Sequence, residues 1–159
     1  MWNNKQEGKT TSIFETIVDF FKDEQWHFVE IEEKSAIRLG GCGENGQYIC
    51  YAQSQEEKQQ FVFYSVCPIT TPESKLQAIA EFITRANYGL IIGNFELDFN
   101  DGEIRYKTSI DIEGDRLTSA LIKQMVYANV AMIDKYLPGI IDVIENDISP
   151  LEAIKKVET

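Results

Sequence analysis

The sequence is short of the residues on which most enzymes and nucleic-acid-binding proteins depend. It contains one histidine and three cysteines, and it has no apolar run approaching the roughly 20 residues that span a bilayer. Fifteen basic residues stand against 26 acidic ones, and the formal net charge of -11 repels phosphate backbones and anionic lipid surfaces. Nucleic-acid binding and membrane association are therefore disfavoured. An odd number of cysteines without metal-type spacing favours free thiols in a reducing compartment, by default the cytoplasm.

The chain length indicates one domain. A chain of 159 residues is long enough for one hydrophobic core, whereas two independent domains would each be small. Residues 1–10 are polar and show neither periodicity nor the apolar segment of a secretion signal. We therefore expect a flexible N-terminal arm over residues 1–10 and a single domain over residues 11–159.

The first half of the domain predicts a helix followed by an antiparallel meander. Ser12 to Glu15 form a capping box, and apolar residues then recur at helical spacing as far as Phe21. The apolar period changes to two after Trp26. Short strands are predicted at residues 28–31, 36–40, 47–53 and 61–67.

The second half predicts helices separated by one hairpin. Thr71-Pro72 is expected to cap a second helix that stops at Gly89. A long helix is predicted from Leu117 to about Tyr136, where Pro138 ends or kinks it. Ser149-Pro150 caps a short final helix.

The hairpin between these helices is predicted from Asp101-Gly102, a strong two-residue turn signal. This turn places Asp98 opposite Arg105 and Glu96 opposite Lys107 as ion pairs on the polar face. The same register gives the hairpin an apolar core face made of Phe95, Leu97, Phe99, Ile104 and Tyr106.

The element order is helix, three or four strands, helix, two strands and helix, which is an α+β class with an antiparallel sheet. With this order, the chain resembles the YbjN family of bacterial sensory transduction regulators, most closely its cyanobacterial members. The resemblance rests on the stretches Asn45–Ala52, Phe61–Ser65, Glu81–Gly89, Gly93–Asp98 and Tyr136–Ile140. It implies the fold of type III secretion chaperones, which are commonly homodimers that hold other proteins. The family offers no established active site to carry over.

The long helix supplies the predicted dimer contacts. Its residues are apolar on more than one side, so we expect a second covered face beyond the one that packs on the sheet. Ile122, Val126 and Val130 repeat at four-residue spacing beside a separate apolar stripe. These three residues are the predicted contacts with a second copy or another partner.

A polar corner at the end of the second helix has two interpretations. Arg85, Asn87 and Tyr88 either cap the helix and tie it to the hairpin, which we favour, or contact a ligand or partner.

The remaining motifs favour structural interpretations. Gly41 to Gly46 spell G-x-G-x-x-G, but a strand follows where a dinucleotide site needs a helix, so a turn is expected. His27 lacks an orienting carboxylate in any known pattern. Cys50 and Cys67 are expected to be buried thiols on neighbouring strands, and Cys42 is the more exposed cysteine. The carboxylates around Asp101 do not match a calcium loop. No metal or cofactor is predicted.

Two functions of different classes follow. The favoured one is a non-enzymatic protein-interaction domain, chaperone-like or regulatory, which acts as a homodimer and binds an unidentified protein partner. The alternative is a small-molecule-binding protein or thiol-dependent enzyme whose site lies near Cys42 or the Arg85–Tyr88 corner. No catalytic residue is assigned.

Overall fold

The computed structural model describes residues 11–159, so the predicted arm at residues 1–10 lies outside the described part of the chain. In chain order the elements are α1 (Ile13–Asp23), β1 (Phe28–Ile31), β2 (Ala36–Cys42), β3 (Gln47–Gln55), β4 (Gln60–Val66), α2 (Leu76–Asn87), β5 (Asn94–Leu97), β6 (Ile104–Asp111), α3 (Ser119–Glu145) and α4 (Pro150–Glu158). All strand pairs are antiparallel, and the spatial order is β1-β2-β3-β4-β6-β5. The predicted α+β class with an antiparallel sheet is confirmed.

The capping box predicted at the start of α1 is present. The Ser12 hydroxyl accepts a hydrogen bond of 3.1 Å from the Glu15 backbone N–H, and the Glu15 carboxylate accepts one of 3.3 Å from the Ser12 N–H. These two bonds satisfy backbone donors that have no partner within the helix. The four strands of the meander also form where the period-two pattern predicts them, with end points shifted by one or two residues.

The predicted hairpin register is wrong by two residues. Phe95 lies opposite Tyr106 and Glu96 opposite Arg105, because the turn is a longer loop in which the Gly102 N–H donates to the Asp98 carbonyl at 2.8 Å. A shift of two keeps every side chain on its face. Phe95 is therefore buried as predicted, whereas Phe99 lies in the loop and is 55% exposed.

The start of α2 also differs from the prediction. A 3₁₀ turn at Glu73–Lys75 precedes the helix, and the buried Thr71 hydroxyl has no hydrogen-bond partner among the described residues, so Thr71 does not act as an N-cap. Its backbone N–H instead donates to the Gly102 carbonyl at 2.9 Å. A Cβ on Gly102 would lie 2.1 Å from the Thr71 carbonyl oxygen, so this contact requires glycine.

The sequence predicted that Pro138 ends or kinks α3; in the structure the helix does not end there and continues to Glu145. Proline lacks the N–H that would bond to the carbonyl four residues earlier, which belongs to Asp134. The Asn45 side-chain amide donates to that carbonyl at 2.9 Å instead. The helix therefore passes through the proline with its freed acceptor satisfied.

Three helices, α1, α2 and α3, pack on one face of the sheet, and α4 packs on α2 and α3. Phe21 of α1 stacks on Phe63 of β4, with 6.5 Å between ring centroids. The fully buried Asn129 of α3 donates its amide to the Phe63 and Tyr106 carbonyls at 2.9 and 3.1 Å. This polar contact fixes the long helix against neighbouring strands.

The burial of α3 corrects the predicted dimer contacts. Ile122 and Val126 are 0% and 1% exposed within a single chain. Val130 is partly buried, and its methyl group lies 3.4 Å from the position that a Cβ on Gly41 would take. The predicted interface stripe therefore packs into the protein's own core, because this stripe is the one that faces the sheet. Ile122 and Val126 are not available to a partner in this structure.

Candidate functional site

The face of the sheet opposite the helices is formed by side chains that the cross-strand pairing aligns in rows. One row crosses all six strands as Val29, Arg38, Tyr51, Tyr64, Lys107 and Asn94. The next row contains Gly40, Ile49, Val66, Arg105 and Glu96. Directly paired residues point to the same side of a sheet. We call this surface, made of these two rows, the open face.

The open face is more apolar than the solvent side of an antiparallel sheet usually is. Val29 is 65% exposed and Ile49 is 45% exposed. Tyr51, Tyr64 and Val66 are half-buried although no helix among residues 11–159 covers them. An exposed cluster of aromatic and aliphatic side chains with a charged border is typical of a binding surface.

A series of depressions follows the open face. The central one, about 190 Å³, lies beside Tyr51, Tyr64 and Arg105. It shares Val66 with a larger, mainly apolar depression of about 680 Å³ at the ends of β2 and β3. The central depression also shares Tyr64 with a third depression of about 400 Å³, and it shares Arg105 with a fourth of about 370 Å³. The surface therefore offers connected shallow recesses, which suit an extended segment better than an enclosed small molecule.

Basic side chains stand among these recesses. The Arg105 guanidinium carbon lies 4.1 Å from the centre of the Tyr64 ring, and Arg105 Nε donates to Glu96 at 2.6 Å. Lys107 donates to the same carboxylate. Partial burial alone would raise the pKa of Glu96, but the hydrogen bonds from Lys107 and Arg105 outweigh it and hold this pKa below its ordinary value. Arg38 is exposed, and no described carboxylate lies within ion-pair distance of it.

The corner at the end of α2 has a structural role for two of its three predicted residues. Asn87 accepts from the Phe95 N–H at 2.7 Å and donates to the Phe95 carbonyl at 3.1 Å, so it ties α2 to β5 as the favoured interpretation expected. Arg85 pairs with Glu81 on the same helix at 2.8 Å. Tyr88 has no such contact and is 92% exposed.

Tyr88 begins a second exposed apolar surface, the loop of residues 88–92. Ile91 is 92% exposed and Ile92 is 45% exposed. The loop lies beside β5, which pairs only with β6 and therefore forms one edge of the sheet. Exposed strand edges and apolar loops are favourable sites for contact with another chain.

The loop that contains G-x-G-x-x-G holds a carboxylate of the chain itself. The Asp134 carboxylate accepts hydrogen bonds of 2.9 Å from the backbone N–H groups of Glu44 and Asn45, and one of 2.7 Å from the Tyr48 hydroxyl. A Cβ on Gly43 would lie 2.1 Å from this carboxylate. The motif is thus a turn that fastens the β2–β3 hairpin to α3, in agreement with the turn predicted from sequence.

The cysteines do not form a recognisable catalytic arrangement. Burial raises the pKa of both Cys50 and Cys67 to about 11, which disfavours their nucleophilic thiolates. The exposed Cys42 sulfur has one hydrogen bond among the described residues, to the Gly43 carbonyl at 3.7 Å, and no base adjoins it. His27 is exposed at the start of β1. Within residues 11–159, no cluster of metal-binding side chains and no helix able to cross a membrane is present.

Sequence reasoning did not single out Arg38, Tyr51 or Tyr64. A usable signal was present in β3 and β4, where the apolar runs Tyr48–Ala52 and Phe61–Tyr64 interrupt the alternation of apolar and polar residues. Such runs are typical of strands with two covered faces. With helices on one face only, the second apolar face is left uncovered by the described residues.

Comparison with known proteins identifies the family. The family model YbjN, described as "Putative bacterial sensory transduction regulator", matches residues 14–142. The chain therefore belongs to the YbjN family. No curated protein matches the sequence.

Two solved structures share the fold at low sequence identity, and a third aligns less closely. The crystal structure of YbjN from E. coli aligns with a TM-score of 0.60 and 14% identity over 76% of this chain and 85% of that one. The ExsC–ExsE complex aligns at 0.58 and 9% identity over 79% and 90%. The Yersinia pestis type III secretion chaperone SycH, in complex with a YscM2 fragment, aligns at 0.46 and 11% identity over 73% and 92%.

Proposed function

We propose that this member of the YbjN family is a non-enzymatic protein-interaction domain, chaperone-like or regulatory, that binds a segment of a partner protein on its open face. The observation that carries the proposal is the uncovered apolar surface around Ile49, Tyr51 and Tyr64. The fold is shared with a chain of the solved ExsC–ExsE complex, in which two proteins are bound to each other. That likeness supports a binding role, while the surface residues supply the physical reason for it.

A homodimer is part of this proposal, through a surface different from the one predicted on α3. The exposed loop of residues 88–92 and the β5 edge lie together, so two copies related by a two-fold axis could pair this surface with itself. We place the protein in the cytoplasm because its three cysteines are free thiols. Its relation to the cyanobacterial members stays a prediction from sequence.

A small-molecule-binding function is the second candidate. It is favoured by the depression of about 680 Å³ that Cys42, Ile49 and Val66 line. This recess is open and adjoins the central one, so we regard it as part of the same protein-binding surface. A thiol-dependent reaction is less well supported, because no described base adjoins Cys42.

The test uses two matched substitutions of exposed aliphatic residues. Ile49 on the open face is 45% exposed and Leu151 on α4 is 42% exposed, so each can be replaced by aspartate at a similar site. Wild-type protein, Ile49→Asp and Leu151→Asp serve as baits in the source cell extract, and captured proteins are identified by mass spectrometry after circular dichroism confirms folding. A partner held by wild type and Leu151→Asp but lost from Ile49→Asp supports the proposal. Equal retention by both variants contradicts it.

A further inference from the structure

We infer that the open face selects an acidic segment of its partner, one in which a carboxylate stands next to a large apolar side chain. The inference deepens the proposed function and rests on it. In the expected complex the carboxylate pairs with Arg38, and the apolar side chain lies in the recess beside Tyr51 and Tyr64.

The distribution of charge on the open face favours an acidic partner. The chain carries a formal charge of -11, yet Lys34 and Arg105 line the central depression, and Arg38 and Lys107 lie in the row that contains Tyr51 and Tyr64. The acidic residues beside them include Glu96 and Glu103. Glu96 already engages Arg105 and Lys107. A local excess of positive charge on a strongly acidic protein favours an acidic partner and repels basic ones.

Arg38 is positioned to bind a carboxylate next to an apolar side chain. Arg38 lies opposite Tyr51 on β3 and Val29 on β1, so it adjoins apolar side chains in the same row of the open face. An exposed arginine without a described acidic partner can donate two hydrogen bonds to a carboxylate in a bidentate geometry. No existing ion pair has to break first. The neighbouring rings bury the stem of an apolar side chain at the same time.

Other occupants fit this surface less well. Two copies packed face to face around this centre would bring Arg38 and its basic neighbours against like charges. A nucleic acid would have to overcome the charge of the whole chain and the carboxylates at the border, among them Asp98 and Glu103. A protein segment with acidic and apolar residues meets both features of the surface.

The experiment selects binders from a phage library of random 12-residue peptides against the full chain. The best peptide is synthesised with a fluorescent label, together with a version in which its acidic residues are replaced by lysine, and affinities are measured by fluorescence anisotropy. Arg38→Glu reverses the charge at the proposed site. Arg116→Glu makes the same change beside the start of α1, away from the open face, and is the matched control.

We expect the selected peptides to combine Asp or Glu with large apolar residues, and Arg38→Glu to bind them about tenfold more weakly or worse, with Arg116→Glu within about twofold of wild type. The lysine version should bind Arg38→Glu better than it binds wild type. Neutral or basic selected peptides, or acidic ones that are insensitive to Arg38→Glu, overturn the inference while the protein-binding function stands. A selection that enriches no peptide counts against both.

Discussion

The side-chain amide of Asn45 donates a hydrogen bond of 2.9 Å to the backbone carbonyl of Asp134. In a regular helix this carbonyl would accept from residue 138, which is proline in this chain. The β2–β3 loop therefore completes the hydrogen bonding of α3 at the position where the helix itself cannot. A backbone carbonyl of α3 thus finds its hydrogen-bond donor in a side chain 89 positions earlier in the chain.

Asn45→Ala should lower the free energy of unfolding by about 0.5–1.5 kcal/mol, because it removes the side-chain donor to the Asp134 carbonyl. Asn100→Ala is the matched control, since Asn100 is exposed and its side chain makes no hydrogen bond among the described residues. Urea denaturation of the three proteins measures the difference. An equal loss for the two variants would show that the loop does not stabilise α3.

The Asp134 carboxylate should make stability depend on pH. Partial burial alone would raise its pKa, but hydrogen bonds from Tyr48, Asn45 and Glu44 outweigh it and hold the pKa below the ordinary value. The unfolded chain therefore takes up the proton first as the pH falls. The stabilisation is fully present above the unfolded pKa of about 3.9 and is lost as the pH falls through the folded value.

We expect the stability difference between wild type and Asp134→Asn to be largest near pH 7 and to shrink toward pH 3, when urea denaturation is carried out across that range. The asparagine variant keeps one acceptor oxygen but not the charge. A difference that stays constant, or widens in acid, would contradict the assigned role of the carboxylate.

Asn129→Asp should be strongly destabilising, by about 3 kcal/mol or more, because it replaces a buried donor with a negative charge facing carbonyl oxygens. Asn129 is 0% exposed and its amide reaches the Phe63 and Tyr106 carbonyls. Gln124→Glu makes the corresponding amide-to-acid change on the exposed side of α3 and should have little effect. Thermal unfolding followed by circular dichroism distinguishes them, and similar melting temperatures would refute the buried contact.

Phe95 and Phe99 test the hairpin register against the one predicted from sequence. Phe95→Ala should cost about 3–5 kcal/mol, because its ring is 2% exposed and packs against Tyr106 at 4.8 Å between centroids. Phe99 is 55% exposed, so Phe99→Ala should cost far less. The register predicted from sequence places both rings in the core, so it predicts a large loss of stability for both variants. Chemical denaturation of the two variants decides between them.

Ile91→Asp should convert the proposed homodimer into a monomer, because it places a charge in the centre of the exposed loop of residues 88–92. Val29→Asp is its control, since Val29 is 65% exposed on β1 at the opposite edge of the sheet. Multi-angle light scattering at micromolar concentration reads the mass directly. A monomeric wild type, or a dimer that survives Ile91→Asp, would remove this surface from the proposal.

The sequence predicts elements well where the signal is local. The capping box at Ser12 and the alternation in β1 to β4 depend on neighbours a few residues apart, and both are found. The hairpin loop is different, because Gly102 is positioned by a backbone contact with Thr71, 31 residues away by their numbers. The turn residues alone therefore predicted the correct face of the hairpin for the paired side chains, but the wrong cross-strand partners.

The candidate site was harder to predict because it depends on which faces remain uncovered. The stripe of Ile122 and Val126 indicated an interface from its pattern alone, but only the packing of α3 shows that this stripe faces the sheet. Arg38, Tyr51 and Tyr64 come together through the pairing of three strands. The spacing of residues within a single strand cannot show that these three side chains lie together.

The loop from Gly41 to Gly46 presents backbone N–H groups to an anion, as phosphate-binding loops do, yet the anion is Asp134 of the same chain. A carboxylate held in place by the fold behaves as a tethered competitor, with an effective concentration on the order of millimolar or above. A free phosphate would have to displace this resident group before it could bind. The loop therefore resembles a nucleotide-binding motif in sequence, but its N–H groups are already occupied by Asp134. Their hydrogen bonds stabilise the fold instead of binding a ligand.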